Sequence, residues 1–402
     1  MNLHIYSASA SLDFGHGKEY VENVVNKLSI LNQQENRFDN IYLYTSKLSS
    51  KIDLDDNITL QERSSSISLD KQIYKNKYKK MWRFMYGIDR IRYYSDLYNL
   101  ILKNIRDGDK IYLVEYEYFS LFLNNRLLRK NPIITLHTMD FSKNLYSFTE
   151  SLYKKISGYL NKKTFKYSKR IIVHGEYIRN SLVEEHRELE GKVRVANYGI
   201  YQYSDFINKE KAINLLKEKY NFNISSNKIN LLIFGVIRTN KGILRFIREF
   251  KKIENVKDFN LLIVGKSYDL NEELIYDEIN NYENIYWINT YIPDSDIEIF
   301  NKLADYLVLP YLENMNSQSG PLKLAMGYEL PVLSTKYGEI GNFTLNYKVG
   351  EVFDTTNYLD FQFALDQLVQ KNRNEYVENI KKVKKQMSWD EMAYTIWDAI
   401  VN

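Results

Sequence analysis

The chain has 402 residues, 44% of them hydrophobic, which is enough to bury two full cores. Lys and Arg total 55 against 51 Asp and Glu, a net charge of only +4 that gives no bulk case for nucleic-acid binding. The absence of Cys excludes disulfides, thiolate metal sites and a cysteine nucleophile.

Cytosol is the simplest compartment for such a chain. No apolar run approaches the roughly 20 residues that span a bilayer, and the N-terminus lacks a charged segment followed by an apolar one, so neither a signal peptide nor a membrane span is expected. The 35 Tyr, with abundant Asn, Lys and Ile, look like the coding bias of an AT-rich genome.

Short apolar runs alternate with longer amphipathic ones, the pattern of strand and helix units that build a parallel sheet, so the predicted class is α/β. The first strand candidate, Leu3–Tyr6, is followed by a loop through Phe14, Gly15, His16 and Gly17. Gly15 and Gly17 before a helix would let a ligand approach the backbone, although a plain turn explains them as well. Strand candidates continue at Ile41–Tyr44, Lys110–Val114, Ile133–His137 and Arg170–His174, forming one doubly wound domain.

Between them lies Lys71–Arg92, with eight Lys or Arg against one Asp, interleaved with Tyr74, Tyr78, Trp82, Phe84 and Tyr86. Such a segment suits an anionic membrane surface, while a solvated helix face with core aromatics is the plainer reading. Ser151–Arg170 adds a second basic stretch. His137 and His174 end their strands at the carboxyl edge of the sheet, where ligands bind in folds of this kind. His137 has a cleft role or is a satisfied loop histidine, while His174 could line the cleft or hold the hinge between domains.

Beyond a polar stretch around Tyr198–Asn227, strand candidates restart at Ile229–Gly235, Asn260–Gly265, Asn284–Ile288, Tyr306–Pro310 and Val332–Thr335. The expected domains are 1–200, 201–387 and a terminal amphipathic helix, 388–402, packing back on the first. The sharpest motif is Gly235-Val236-Ile237-Arg238-Thr239-Asn240-Lys241-Gly242, which leaves a strand, presents two cations and enters a helix. Arg238 can fork two phosphate oxygens and Lys241 can add a mobile point charge. The later segment Ser317-Gln318-Ser319-Gly320 opens another helix, whose free N–H groups and dipole favour an anion, with Ser319 as cap or donor.

These two segments, in this order, resemble the large GT-B glycosyltransferase family four, the glycosyl transferases group 1. The resemblance covers most of the C-terminal domain. It implies two doubly wound, Rossmann-like domains facing a central cleft, the N-terminal one for the acceptor and the C-terminal one for a nucleotide-sugar. A Gly-x-x-Arg-x-x-Lys-Gly stretch that binds the donor diphosphate carries over to Gly235, Arg238, Lys241 and Gly242. The family's Glu-x7-Glu pair aligns on Asn316 and Leu324, so both glutamates are missing. What stands there is similar to a Gln-Ser-Gly variant in which Ser and Gly contact the diphosphate. Donor contacts are therefore expected from Ser317, Ser319 and Gly320, from Glu313 just upstream, and from Gly15 and Gly17. Pro331–Thr335 with Gly338 and Gly341 also resembles the family's strand and glycine turn.

The resemblance implies a retaining transfer of a hexosyl-type sugar, without metal or other cofactor, from a UDP-sugar slightly ahead of a GDP-sugar. The expected acceptor is a glycan or polyprenyl-diphosphate-linked glycan of bacterial surface polysaccharide. Arg238 and Lys241 would stabilise the leaving diphosphate, with His137 orienting or polarising. An anionic membrane surface is a further candidate partner, placing the protein peripherally on the inner face of the cell membrane; nucleic acid is not expected. A non-catalytic nucleotide-sugar or partner-binding scaffold is the alternative that the missing glutamates leave open.

Overall fold

The computed structural model describes residues 1–8, 10, 17–46, 52–63, 67, 69, 71–137, 148–203, 207–225, 227–313 and 318–402. The chain divides into two compact units, one of residues 1–198 with 389–402 and the other of residues 199–388.

In the first unit seven parallel strands form one sheet: β1 Leu3–Tyr6, β2 Ile41–Ser46, β3 Ile58–Arg63, β4 Lys110–Leu113, β5 Ile133–Leu136, β6 Arg170–Val173 and β7 Val193–Val195. Their order is β3-β2-β1-β4-β5-β6-β7, with β1 reading against β2 from Leu3 opposite Ile41 to Tyr6 opposite Tyr44. Every residue of β1 and β5 is buried, as strands covered by helices on both faces require. The helix Trp389–Val401 belongs to this unit, and its Trp397 meets Phe38 edge to face at 5.6 Å.

The second unit holds six parallel strands: β8 Ile229–Phe234, β9 Phe259–Val264, β10 Ile285–Ile288, β11 Tyr306–Leu309, β12 Val332–Thr335 and β13 Gly350–Phe353. Their order is β10-β9-β8-β11-β12-β13. Successive side chains of a strand leave on opposite faces, and β8 shows the result. Leu231 and Ile233 join a core with Phe246, Ile247 and Phe250, whereas Leu232 and Phe234 join another with Phe300, Leu322 and Ala325. A sheet sandwiched this way can lend ligands only its ends. The carboxyl ends of β8 and β11 lie side by side, because those strands are neighbours.

The strands β3, β7 and β13 join those expected from the apolar runs. Among the described residues no helix is long and apolar enough to cross a membrane.

Candidate functional site

At the end of β8 the chain turns through Gly235 with φ 93°. A Cβ there would stand 3.3 Å from Lys241 Nζ and 3.3 Å from Pro321 Cγ, so a glycine is what allows the loop and the later helix to share this corner. One turn of 3₁₀ helix, Thr239–Lys241, then leads to Gly242 at φ 66°, where a Cβ would fall 2.2 Å from the carbonyl oxygen of Pro310. The loop is tied to its neighbours on two sides. Ile237 donates to Lys266 O at 2.9 Å and accepts from Tyr268 N at 2.9 Å, and Leu312 N donates to Asn240 O at 3.0 Å.

Lys241 is buried, with 8% of its surface exposed. Its ammonium donates weakly to Phe234 O at 3.4 Å and lies 5.6 Å from the centre of the Tyr311 ring. No carboxylate of the described residues pairs with it. Burial, with the charge of Arg238 beside it, brings the ammonium down to about 8. A buried cation served only by a carbonyl and a ring face lacks the anion that would offset its desolvation.

Arg238 is exposed and its guanidinium stacks 4.7 Å from the centre of the Tyr268 ring. Thr239 N and Oγ1 both approach Asp269 Oδ1, at 2.8 and 3.3 Å, which pins the next residue of the loop.

From the side of β11 comes the helix Gly320–Gly327, capped by Ser319, whose Oγ accepts from Leu322 N at 3.3 Å. Pro321 brings no N–H, and that of Leu322 is taken by the cap, so Gly320 is left as the amide donor of the first turn. Ser319 is buried and meets the Tyr311 hydroxyl at 3.2 Å. Lys241, Tyr311, Ser319, Pro321 and Gly235 therefore form one cluster. Of these, Tyr311 and Pro321 carry no motif of their own; they come two residues after β11 and Ser319, and only the fold shows what they face.

Glu313 is exposed and engaged elsewhere, accepting from Thr355 Oγ1 at 3.1 Å with Arg245 at 3.7 Å. Lys323, one turn into the same helix, is a second buried ammonium, brought down to about 8 by burial against the pull of Glu339; it lies 4.4 Å from the centre of the Phe343 ring. Gly15 and Ser317 lie outside the described residues, as does Asn316.

In the first unit Gly17 opens a helix, Gly17–Tyr20. His137 follows β5 and is half-buried, its Nε2 donating to Val114 O at 2.7 Å. Since a carbonyl only accepts, Nε2 carries a proton. His174 is buried, with Nδ1 donating to Ala196 O at 2.8 Å, and the two rings stand 5.0 Å apart. Tyr20 packs against both, at 5.8 and 5.7 Å. Among the described residues no group of three or more His, Asp and Glu is arranged to hold a metal ion.

Comparison with known proteins agrees with this architecture. Over the whole chain the fold is similar to WaaG, a glycosyltransferase involved in lipopolysaccharide biosynthesis, at 14% identity and TM-score 0.62, covering 100% of this chain and 99% of that one. It is similar to a trehalose-6-phosphate protein from E. coli bound with UDP-2-fluoro glucose, at 11% identity and TM-score 0.71, covering 100% and 99%. A glycosyltransferase from Rickettsia africae is similar at 17% identity and TM-score 0.66, covering 100% and 98%. Identities this low speak for the fold alone. No curated protein matches the sequence. Residues 216–387 match the family Glycosyl transferases group 1.

The fold is thus that of the GT-B glycosyltransferases, and the family match over residues 216–387 supports glycosyl transfer. Its second unit carries the domain of the glycosyl transferases group 1 family, and the resemblance to family four fits that assignment.

Proposed function

We propose that the protein moves a hexosyl-type sugar from a nucleoside-diphosphate sugar, UDP ahead of GDP, to a glycan or polyprenyl-diphosphate-linked acceptor of bacterial surface polysaccharide. The observation that carries this reading is the buried ammonium of Lys241, paired with no carboxylate of the described residues, at the glycine corner beside the Ser319 helix start. As the glycosidic bond breaks, negative charge grows on the leaving diphosphate. Lys241, Arg238 and the Gly320 amide are donors of the kind that stabilise it without reorganising. With two cations available, the transfer is read as independent of metal and of any other cofactor.

Retention of configuration is part of the same reading, the leaving phosphate taking the acceptor proton on the face it departs from. His137 orients or polarises rather than serving as an obligatory base. Complete loss of transfer with donor affinity intact in His137→Ala would make it a base instead. The missing glutamates leave donor hydroxyl contacts to other groups, with Glu313 as one candidate if it leaves Arg245. The protein works at the inner face of the cell membrane.

The test is a panel of UDP-, GDP- and dTDP-sugars, without metal, read by thermal shift and donor hydrolysis. One nucleotide should stabilise the wild type and be slowly hydrolysed, with both effects lost in Arg238→Ala/Lys241→Ala. Binding without turnover toward any acceptor would favour a scaffold; no binding would end the donor reading.

A further inference from the structure

The basic stretch 71–92 folds as two helical arms, Lys71–Tyr78 and the start of Trp82–Asn104, joined by the short turn Lys79–Met81. Lys79 takes φ 44° at the reversal. The tyrosines fasten the arms together. Tyr74 is buried, meets Tyr78 and Tyr86 at 5.8 and 5.3 Å, and donates to Asp89 at 2.9 Å. What the hairpin turns to solvent is different: Ile73, Met81 and Phe84, exposed by 49%, 60% and 64%. Around them Lys75, Lys77, Lys79, Lys80 and Arg83 are exposed as well. Trp82 lies between, half-buried, with the Lys75 and Arg83 cations 5.4 and 5.7 Å from its ring.

We propose that this hairpin tip is a membrane-docking element, Ile73, Met81 and Phe84 entering the apolar margin of an anionic lipid leaflet while the five surrounding cations meet its headgroups. Apolar side chains at a helical turn gain by leaving water, and the ring of like charge is offset only against a surface of opposite sign. A protein partner would need a matching acidic socket, whereas a leaflet presents both chemistries to a convex tip. Seven of these eight side chains are unbranched and long or aromatic, the kind that can reach past headgroups while their backbone stays above. The inference deepens the reading of a lipid-linked acceptor, since it supplies the surface on which such an acceptor is met. It makes no use of the donor loop.

The experiment is sedimentation of the full chain with vesicles of phosphatidylcholine alone or with about one third phosphatidylglycerol, the Trp82 emission being recorded in parallel. Trp287, Trp389 and Trp397 are buried, so a blue shift reports the hairpin. The expected result is binding to anionic vesicles only, with a blue shift. Ile73→Ser/Met81→Ser/Phe84→Ser should then lower partitioning about tenfold or more, and Lys75→Glu/Lys79→Glu/Lys80→Glu should abolish it. Both variants should keep the wild-type unfolding temperature and its nucleotide-induced thermal shift, which separates this inference from the donor reading. Equal binding to neutral vesicles, unchanged binding by the serine variant, or a dimer in light scattering that the serine variant dissolves would each overturn the proposal.

Discussion

The ammonium of Lys241 stands 5.6 Å from the centre of the Tyr311 ring, and the hydroxyl of that ring meets Ser319 Oγ at 3.2 Å. One aromatic side chain thereby links the cation of the first loop to the cap of the second helix. An anion held by the one is within the field of the other.

Holding Lys241 charged without its anion costs stability. Its pKa is lowered to about 8 from 10.5, so the unfolded chain binds the extra proton between those values. The cost is full below about 8 and disappears above 10.5. Lys241→Met should therefore stabilise the ligand-free protein at pH 7 by roughly 1 to 3 kcal/mol. In urea unfolding the gap between variant and wild type should close as the pH is raised toward 10.5.

Binding a diphosphate should reverse that balance, since a nearby anion favours the protonated amine. Calorimetry should find nucleoside-diphosphate affinity falling as the pH rises above about 8, with proton uptake on binding in that range. Lys241→Arg should flatten the profile, because a guanidinium does not titrate there. An unchanged profile in that variant would shift attention to Lys323, which titrates in the same region.

Tyr268 is expected to act through Arg238. An exposed ring under a guanidinium is worth about 0.5–1 kcal/mol, so Tyr268→Leu should weaken nucleotide binding a few-fold and Tyr268→Phe should not. In a double-mutant cycle with Arg238→Ala, the leucine change should add nothing further. Additive losses would mean the ring contacts the nucleotide directly.

At the opposite end of the first sheet, His4 is buried between Tyr44 at 2.9 Å and Asp109 at 3.0 Å. Burial lowers the imidazole against the pull of Asp109. Below the unfolded value of 6.5 the unfolded chain takes the proton more readily, so stability falls as the pH drops. Asp109 adds a later loss of the same sign. Burial works upward on it, but the N–H groups of Asn2 and Arg106 and the His4 and Asn2 side chains bring it down to about 2, so its contribution is lost between 3.8 and that value. Urea unfolding at pH 7.5 and 5.5 should show a shallower slope for His4→Gln than for the wild type.

Much of the fold was legible as apolar runs, and the strands that were not share a position. β3, β7 and β13 each close an edge of a sheet. The run Ile58–Arg63 buries only Ile58 instead of being buried throughout, and Val193–Val195 is only three residues long. Edge strands lack the double cover that makes central ones continuous and apolar. β10, also at an edge, was legible because Trp287 and Ile288 are buried. The loop Gly235–Gly242 declares itself by chemistry, since glycines and cations at fixed spacing have few other uses. Tyr311 does not: one tyrosine among 35 gains its place only from what β11 sets beside it. The aromatic rings of 71–92 show the converse, their composition being visible in advance but not which of them the hairpin would enclose.

The helix Trp389–Val401 belongs to the first unit although it follows the whole of the second in the chain. On the ribosome, residues 199–388 emerge as one uninterrupted stretch and can finish folding while the first unit still waits for its closing helix. Until then the surfaces that take Trp389 against Tyr198 and Trp397 against Phe38 stay uncovered. The unit with the Gly235–Gly242 loop is therefore the one that matures first, and a chain stalled or clipped near residue 388 would leave it folded while the other unit cannot close its core.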